Sequence, residues 1–160
     1  MLAVTEVNGC EVCSYEHTKS ALEMGMSSEE IKNILTGTVD DITTQQLKAI
    51  LFAQHYAETK GAPTKDTWAE IVEAYGEETS FGILGAIRMI MVGNSYGIAL
   101  SAFKSRLKGI KIEQSSLPYE LTMLLSLIPL LPTALIHTLM TKILKKPLIA
   151  FPKSKLLTEN

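Results

Sequence analysis

Two cysteines and one histidine are the densest chemistry in the chain. Cys10, Cys13 and His17 lie within NGCEVCSYEHTKSALEMGMSSEEI, residues 8–31. With Ala21 and Met24 they follow one another at spacings of 3, 4, 4 and 3, which on a helix sets them along one face. Cys10 falls in the first turn, where free backbone N–H groups and the helix dipole favour an anion. A thiolate is stabilised there, and its reactive fraction at neutral pH rises. His17, one turn past Cys13, is placed to take its proton directly or through a water. Two cysteines separated by two residues can also close a disulfide at a helix start. The chemistry this points to is two-electron thiol chemistry.

Other readings of the same residues stay open. Zinc needs four ligands, and beyond the cysteine pair the chain offers only His17, His55, His137 and carboxylates, with no second pair at ligand spacing. Two inert cysteines on a core face are a further alternative, since free Cys is often simply buried. His55 borders an apolar face with Leu51 and Phe52 and reads as a hydrogen-bonded core histidine. His137 reads as buried at a helix contact. Met24, Met26, Met89 and Met91 read as packing residues, and Glu29 and Glu30 as capping and solvated positions. Gly93 and Gly97 lack the strand and loop context of a phosphate-binding motif.

The elements that must position these groups read as helices throughout. No stretch alternates apolar and polar residues over strand length, and turn signals punctuate segments of helical size. Residues 1–7 read as the tail of a helix stopped at Asn8-Gly9. The cysteine-bearing helix runs from about Cys10 to Met24, with Gly25 as its cap. Ser27 and Glu30 make a capping box for a short helix ending before Gly37. Thr43 and Gln46 open the next, with Leu47, Ile50 and Leu51 on one side, ending at Gly61. Pro63-Thr64 starts the segment holding Trp68, up to Gly76. Residues 77–108 read as one long apolar helix or two, with a possible break at Gly82 and Gly85. There Gly93, Gly97 and Ser101 recur every four positions and suit the close approach of another helix.

The bulk numbers narrow the class. The chain has 160 residues, 15 basic and 17 acidic, for a net charge of −2. With 46% hydrophobic and 20% charged residues it is a folded domain, not a disordered chain. Without a basic patch it has no electrostatic footprint for nucleic acid. Two cysteines do not staple a secreted scaffold, and the first residues do not read as a secretory signal; the expected location is cytoplasmic. The segment between Glu120 and Lys142 holds 21 uncharged residues, followed by Lys142, Lys145 and Lys146. By length it could cross a bilayer, but Pro129, Pro132 and His137 argue for a kinked helical pair buried in the protein or an oligomer. The tail after Lys145 reads as loose or packed on a neighbour.

At NGCEVCSYEH, the alanine-containing helix after it and the SSEEI turn, the sequence resembles the carboxymuconolactone decarboxylase superfamily, in its alkylhydroperoxidase D-like branch. The likeness continues more weakly through QQLKAILFAQHYAETKG and covers residues 1 to about 105. It implies an all-α, single helical domain assembling as homotrimers or hexamers. The C-terminal third has no match in the family pattern, and the chain is expected to divide into a helical core, 1–110, and an apolar C-terminal helical extension, 111–160, packed on the core or at an oligomer contact. Carried over, Cys13 is the attacking thiolate, Cys10 the resolving thiol that closes a disulfide with it, and His17 part of the proton relay. The dipole argument instead makes Cys10 the more acidic thiol, though that effect is only about 0.3–1 kcal/mol. The family's relay glutamate, about a dozen residues before the first cysteine, has no counterpart here; Glu6 lies nearer, beyond the Asn8-Gly9 break. The expectation is that the given start is internal or that peroxidase activity is weak.

The resemblance thus implies an oxidoreductase that reduces alkyl hydroperoxides through a Cys10–Cys13 disulfide cycle. It needs no metal and no organic cofactor, and takes electrons from a dithiol, thioredoxin-like or lipoyl donor. The alternatives are a carboxymuconolactone-type decarboxylase, disfavoured because only Arg88 and Arg106 could meet a carboxylate, and a non-catalytic oligomeric or membrane-associated helical protein with structural cysteines.

Overall fold

A computed structural model describes residues 1–36, 44–110, 112–113, 115–149 and 151. The described residues form seven α-helices and no strand. The expectations at Gly37 and Thr43, and for the tail beyond 151, lie outside them.

Helix α1, Leu2–Asn8, ends on Gly9 with φ +67°, a left-handed turn that glycine adopts without a Cβ penalty. Its residues Leu2 to Thr5 are all buried, so this short helix runs through the middle of the fold. Helix α2, Glu11–Glu23, starts one residue after that turn. Helix α3, Ser28–Thr36, opens on the expected capping box: Ser27 N–H donates to Glu30 Oε2 at 2.7 Å, and Glu30 N–H to Ser27 Oγ at 3.1 Å. Helices α4, Thr44–Glu58, and α5, Lys65–Tyr75, form the other flank, with Thr64 capping α5 through Thr67 N–H.

The larger core cluster gathers Val4, Phe52, Tyr56, Ile71, Leu84 and Ile87 from α1, α4, α5 and α6, with Trp68 and Phe81 packed beside it. On α4 the buried side is Phe52, Ala53, Tyr56 and Ala57; of the expected Leu47–Ile50–Leu51 side, Leu47 and Ile50 are half-buried and Leu51 is exposed. Helix α6, Glu77–Leu107, is continuous over 31 residues. The break expected at Gly82 and Gly85 is absent, because Ser80, Leu84 and Ile87 anchor that stretch in the core.

Helix α7, Leu117–Ile143, is also one helix, with Pro129 and Pro132 inside it. Its start is pinned to α6. Arg106 forks onto Glu120, Nη2 to Oε1 at 2.8 Å and Nε to Oε2 at 3.0 Å, and Ser115 Oγ donates to Oε1 at 2.9 Å. Glu120 is fully buried, yet its carboxyl is held below the usual range, chiefly by the Arg106 hydrogen bond. The tail returns to the body. Arg88 Nη1 donates to the Leu148 carbonyl at 2.7 Å and Ile149 is buried, so the tail is packed at these positions.

Several single-residue expectations are corrected. Met24 and Met89 are exposed, not packed, at 86% and 72%, whereas Met26 and Met91 do pack against the two core clusters. His137 is exposed on α7. Both α6 and α7 are long and apolar enough to cross a membrane.

Candidate functional site

The site begins with the turn at Gly9. By ending α1 and reversing the chain there, it makes Cys10 the N-cap of α2, with extended backbone, and its sulfur accepts from Cys13 N–H at 3.3 Å. One helical turn later Cys13 points back along the helix toward it. The two form a disulfide with their Cα atoms 5.2 Å apart. Cys10 is buried; Cys13 is half-buried.

Gly97 of α6 is the floor under this bridge. A Cβ on Gly97 would lie 2.6 Å from Cys13 Sγ, closer than real Cβ contacts allow, and a tight 3.2 Å from Cys10 Sγ. Within the small-residue stripe expected on α6, Gly97 therefore serves α2. At Gly93 an added Cβ meets nothing within 4 Å.

Two cavities open on Cys10. One, of about 500 Å³, is lined by Thr5, Glu6, Gly9, Cys10, Glu11, Ser14, Tyr15 and Thr18. The other, of about 280 Å³, runs from Cys10 to Ile98, Ser101 and Ser105 of α6 and on to Ser115. Glu6, whose direction could not be read from the sequence across the Asn8-Gly9 break, is thus in the wall of a cavity that holds Cys10. Among the described residues that line it, that cavity carries two carboxylates and no cationic side chain.

His17 faces elsewhere. With Ala21 and Met24 it lines an apolar cavity of about 480 Å³, walled by Leu2, Met26, Ile34, Ile50, Ile83 and Ile87 among others. Among the described residues that line it, His17 is the only charged or titratable side chain. Burial, and next the positive Met1 amino group, hold His17 below the usual histidine range, while Glu16 opposes them weakly. The imidazole is therefore neutral at pH 7 and able to accept a proton. The structure joins Cys10 to Cys13 and keeps His17 one turn away, on the wall of a different cavity.

The remaining candidates separate from the site. His55 is not the satisfied core histidine expected: its Nε2 is buried without a hydrogen-bond partner, beside a small cavity lined by Lys48, Thr67 and Glu70. No group of three or more His, Cys, Asp or Glu suited to a metal occurs among the described residues. Sequence reasoning missed a buried polar pair that joins α1 to α6. Asn94, one turn before Gly97, donates from Nδ2 to Thr5 Oγ1 at 3.2 Å, and Thr5 Oγ1 donates to Asn94 Oδ1 at 3.3 Å. A polar residue at an otherwise apolar, core-facing position of α6 was the available signal.

Residues 1–55 match the Carboxymuconolactone decarboxylase family. The match covers about a third of the chain and includes α1, α2, α3 and most of α4. It holds the whole cysteine–histidine constellation, and the all-helical architecture of the described residues is consistent with it. No curated protein and no solved structure matches the chain.

Proposed function

We propose that this protein is a thiol oxidoreductase that reduces alkyl hydroperoxides through Cys10 and Cys13. The observation that carries this reading is the cysteine pair at the N-terminus of α2, able to close as a disulfide beside a cavity of substrate size. In the reduced protein the attacking thiolate takes the distal oxygen of the hydroperoxide, breaking the O–O bond. The products are a cysteine sulfenic acid and, after protonation, the alcohol. The second thiol then displaces hydroxide from the sulfenic sulfur, which leaves as water, and the disulfide forms. A dithiol donor returns two electrons and two protons to close the cycle.

Cys13 is the better candidate for attack, being half-buried where Cys10 is fully buried; His17, one turn along α2 but on the wall of another cavity, would take its proton through a water. The acidic wall beside Cys10 favours a neutral hydroperoxide over an anionic acid. Arg88 is engaged with Tyr56 and the Leu148 carbonyl, and Arg106 with Glu120, so neither supports a carboxylate-binding decarboxylase site. A cytoplasmic setting suits a cycle that draws on thiol donors.

The test is thiol titration of the reduced protein before and after one equivalent of an alkyl hydroperoxide. The expected result is loss of two thiols, with a Cys10–Cys13 disulfide found by peptide mapping and reversed by a dithiol. Cys13→Ser should abolish turnover, and Cys10→Ser should permit a single reduction and stall as the sulfenic acid. Thiols that stay reduced over minutes, or equal residual turnover in the two variants, would sink the assignment.

A further inference from the structure

The cavity of about 480 Å³ that His17 lines is a built space, not a packing defect. Protein interiors are close-packed, and few voids in them exceed a water molecule. Here the walls stay apart because small side chains converge from four helices: Ala3 of α1, Ala21 of α2, Ala49 and Ala53 of α4, and Ala86 of α6. Most of the remaining wall is isoleucine, leucine and methionine, and Met24 and Met26 are flexible enough to adapt to an occupant. A cavity of this size and lining suits a small apolar molecule. At about 30 Å³ per water-sized group it has room for roughly fifteen heavy atoms.

Its polarity is confined to one wall. Among the described residues that line it, only His17 and Ser20 have hydrogen-bonding side chains, and both are on one face of α2. His17 is one helical turn, about 6 Å of rise, from Cys13. The imidazole is uncharged at pH 7 because burial disfavours its charged form, so an apolar chain passes it at less cost than it would an imidazolium. The two cavities that open on Cys10 differ in character. One has Glu6 and Glu11 in its wall, and the other has Glu11, Ser101, Ser105 and Ser115. Neither offers a hydrocarbon chain a comparable lining.

We propose that this cavity receives the tail of the hydroperoxide, an unbranched alkyl chain on the order of ten carbons long. The peroxide group lies at Cys13, and the chain runs along α2 past His17 into the space between the alanines. The assignment rests on the peroxidase reading above. It narrows the substrate class to straight-chain hydroperoxides over compact ones, and it makes Ala49 and Ala86 specificity-determining positions.

Two measurements on the full chain separate the tail assignment from the peroxidase reading. The first is isothermal titration with straight-chain 1-alkanols from butanol to decanol, which carry the chain without the O–O bond. Affinity should rise about fourfold with each methylene. The second is kcat/KM for the matching straight-chain hydroperoxides, which should rise by the same step, with tert-butyl hydroperoxide as the compact reference. Ala86→Leu and Ala49→Leu, at an exposed and a half-buried position, fill the cavity while keeping good helix formers on α6 and α4. Each should flatten both series at the longer chains and leave the tert-butyl hydroperoxide rate unchanged. Alkanols that fail to bind, or bind without regard to chain length, would overturn the tail assignment. Hydroperoxide rates that ignore chain length while the thiols still turn over would overturn it too, and would leave the peroxidase reading standing. Chain-dependent alkanol binding with no thiol oxidation by any hydroperoxide would sink both.

Discussion

Gly97 and Cys13 lie in contact across the α2–α6 interface, with room for a sulfur and none for a methyl group. A Cβ on Gly97 would stand 2.6 Å from Cys13 Sγ. The sulfur cannot swing aside while it is bonded to Cys10, whose own sulfur is also in contact with that position. Alpha-helical glycine is costly, so its presence here is explained by the sulfurs packed on it.

Gly97→Ala is therefore expected to penalise the disulfide form more than the dithiol form. The overpacking cost in a fixed environment is about 1–3 kcal/mol, against roughly 0.5–1 kcal/mol gained in helix propensity. In the reduced protein the two thiols can turn away and most of the cost disappears. The variant should melt lower than the parent when oxidised, and close to it or higher when reduced. Titration against a dithiol redox buffer should show its bridge opening under milder conditions. An oxidised variant as stable as the parent would mean that α6 shifts freely under the bridge.

A second expectation concerns the buried amide one turn earlier. Asn94 and Thr5 are each 1% exposed and satisfy one another. Asn94→Ala leaves the Thr5 hydroxyl buried without this partner, at a cost of about 1–3 kcal/mol. Because Thr5 is in the wall of the cavity that holds Cys10, the same variant should also change the rate of thiol oxidation. Thr5→Val with Asn94→Leu, which removes both polar groups, should recover much of the stability but not the rate. Denaturant unfolding and hydroperoxide kinetics on the two variants separate these effects.

The helices were legible because their punctuation is local. Asn8-Gly9, the Ser27–Glu30 box and Gly76 each act within four residues, and each marks the boundary it should. The CxxC pair was legible for the same reason. What could not be read depends on contacts distant in sequence. Gly82 and Gly85 suggested a break, but Leu84 and Ile87 are held in the core by residues from α1, α4 and α5. Glu6 could not be oriented until the angle between α1 and α2 was known. Helical spacing put His17 on the face of the cysteines, and that face proved to be split between cavities as α2 passes over α1 and α6. His55 had the apolar neighbours of a core residue, but spacing says nothing of whether a partner waits for its Nε2.

The proton acceptor can be tested through its pH dependence. His17 titrates below the ordinary histidine range because burial disfavours its charged form. If it accepts the Cys13 proton, the rate of oxidation should hold as pH falls to about 6.5, and decline only below that. His17→Gln should slow the reaction by about a hundredfold or more and remove the decline. The stability sign follows from the same shift. The unfolded chain protonates this residue first, so the folded state loses stability as pH drops through the usual histidine range, and the variant should lose less. Stopped-flow kinetics across pH, with Glu6→Gln in parallel, decide the matter. A profile moved by Glu6→Gln and not by His17→Gln would assign proton transfer to the carboxylate in the wall of the Cys10 cavity.

Acid should act first on the start of α7. Glu120 is ionised in a place closed to solvent because Arg106 offers two hydrogen bonds in a fork and Ser115 a third. These hold its carboxyl below the usual range, so the native state binds its proton later than the unfolded chain does. The stability from this pair is present above about pH 4.5 and is lost as pH falls below it. Glu120→Gln should thus be less stable than the parent at pH 7, and the gap should narrow as the solution is acidified. Arg106→Lys keeps the charge but not the fork, and should also lower the melting temperature at pH 7. Thermal melts from about pH 7 down to about pH 3 test both. Curves that stay parallel over that interval would show that Glu120 is not the group whose protonation releases α7.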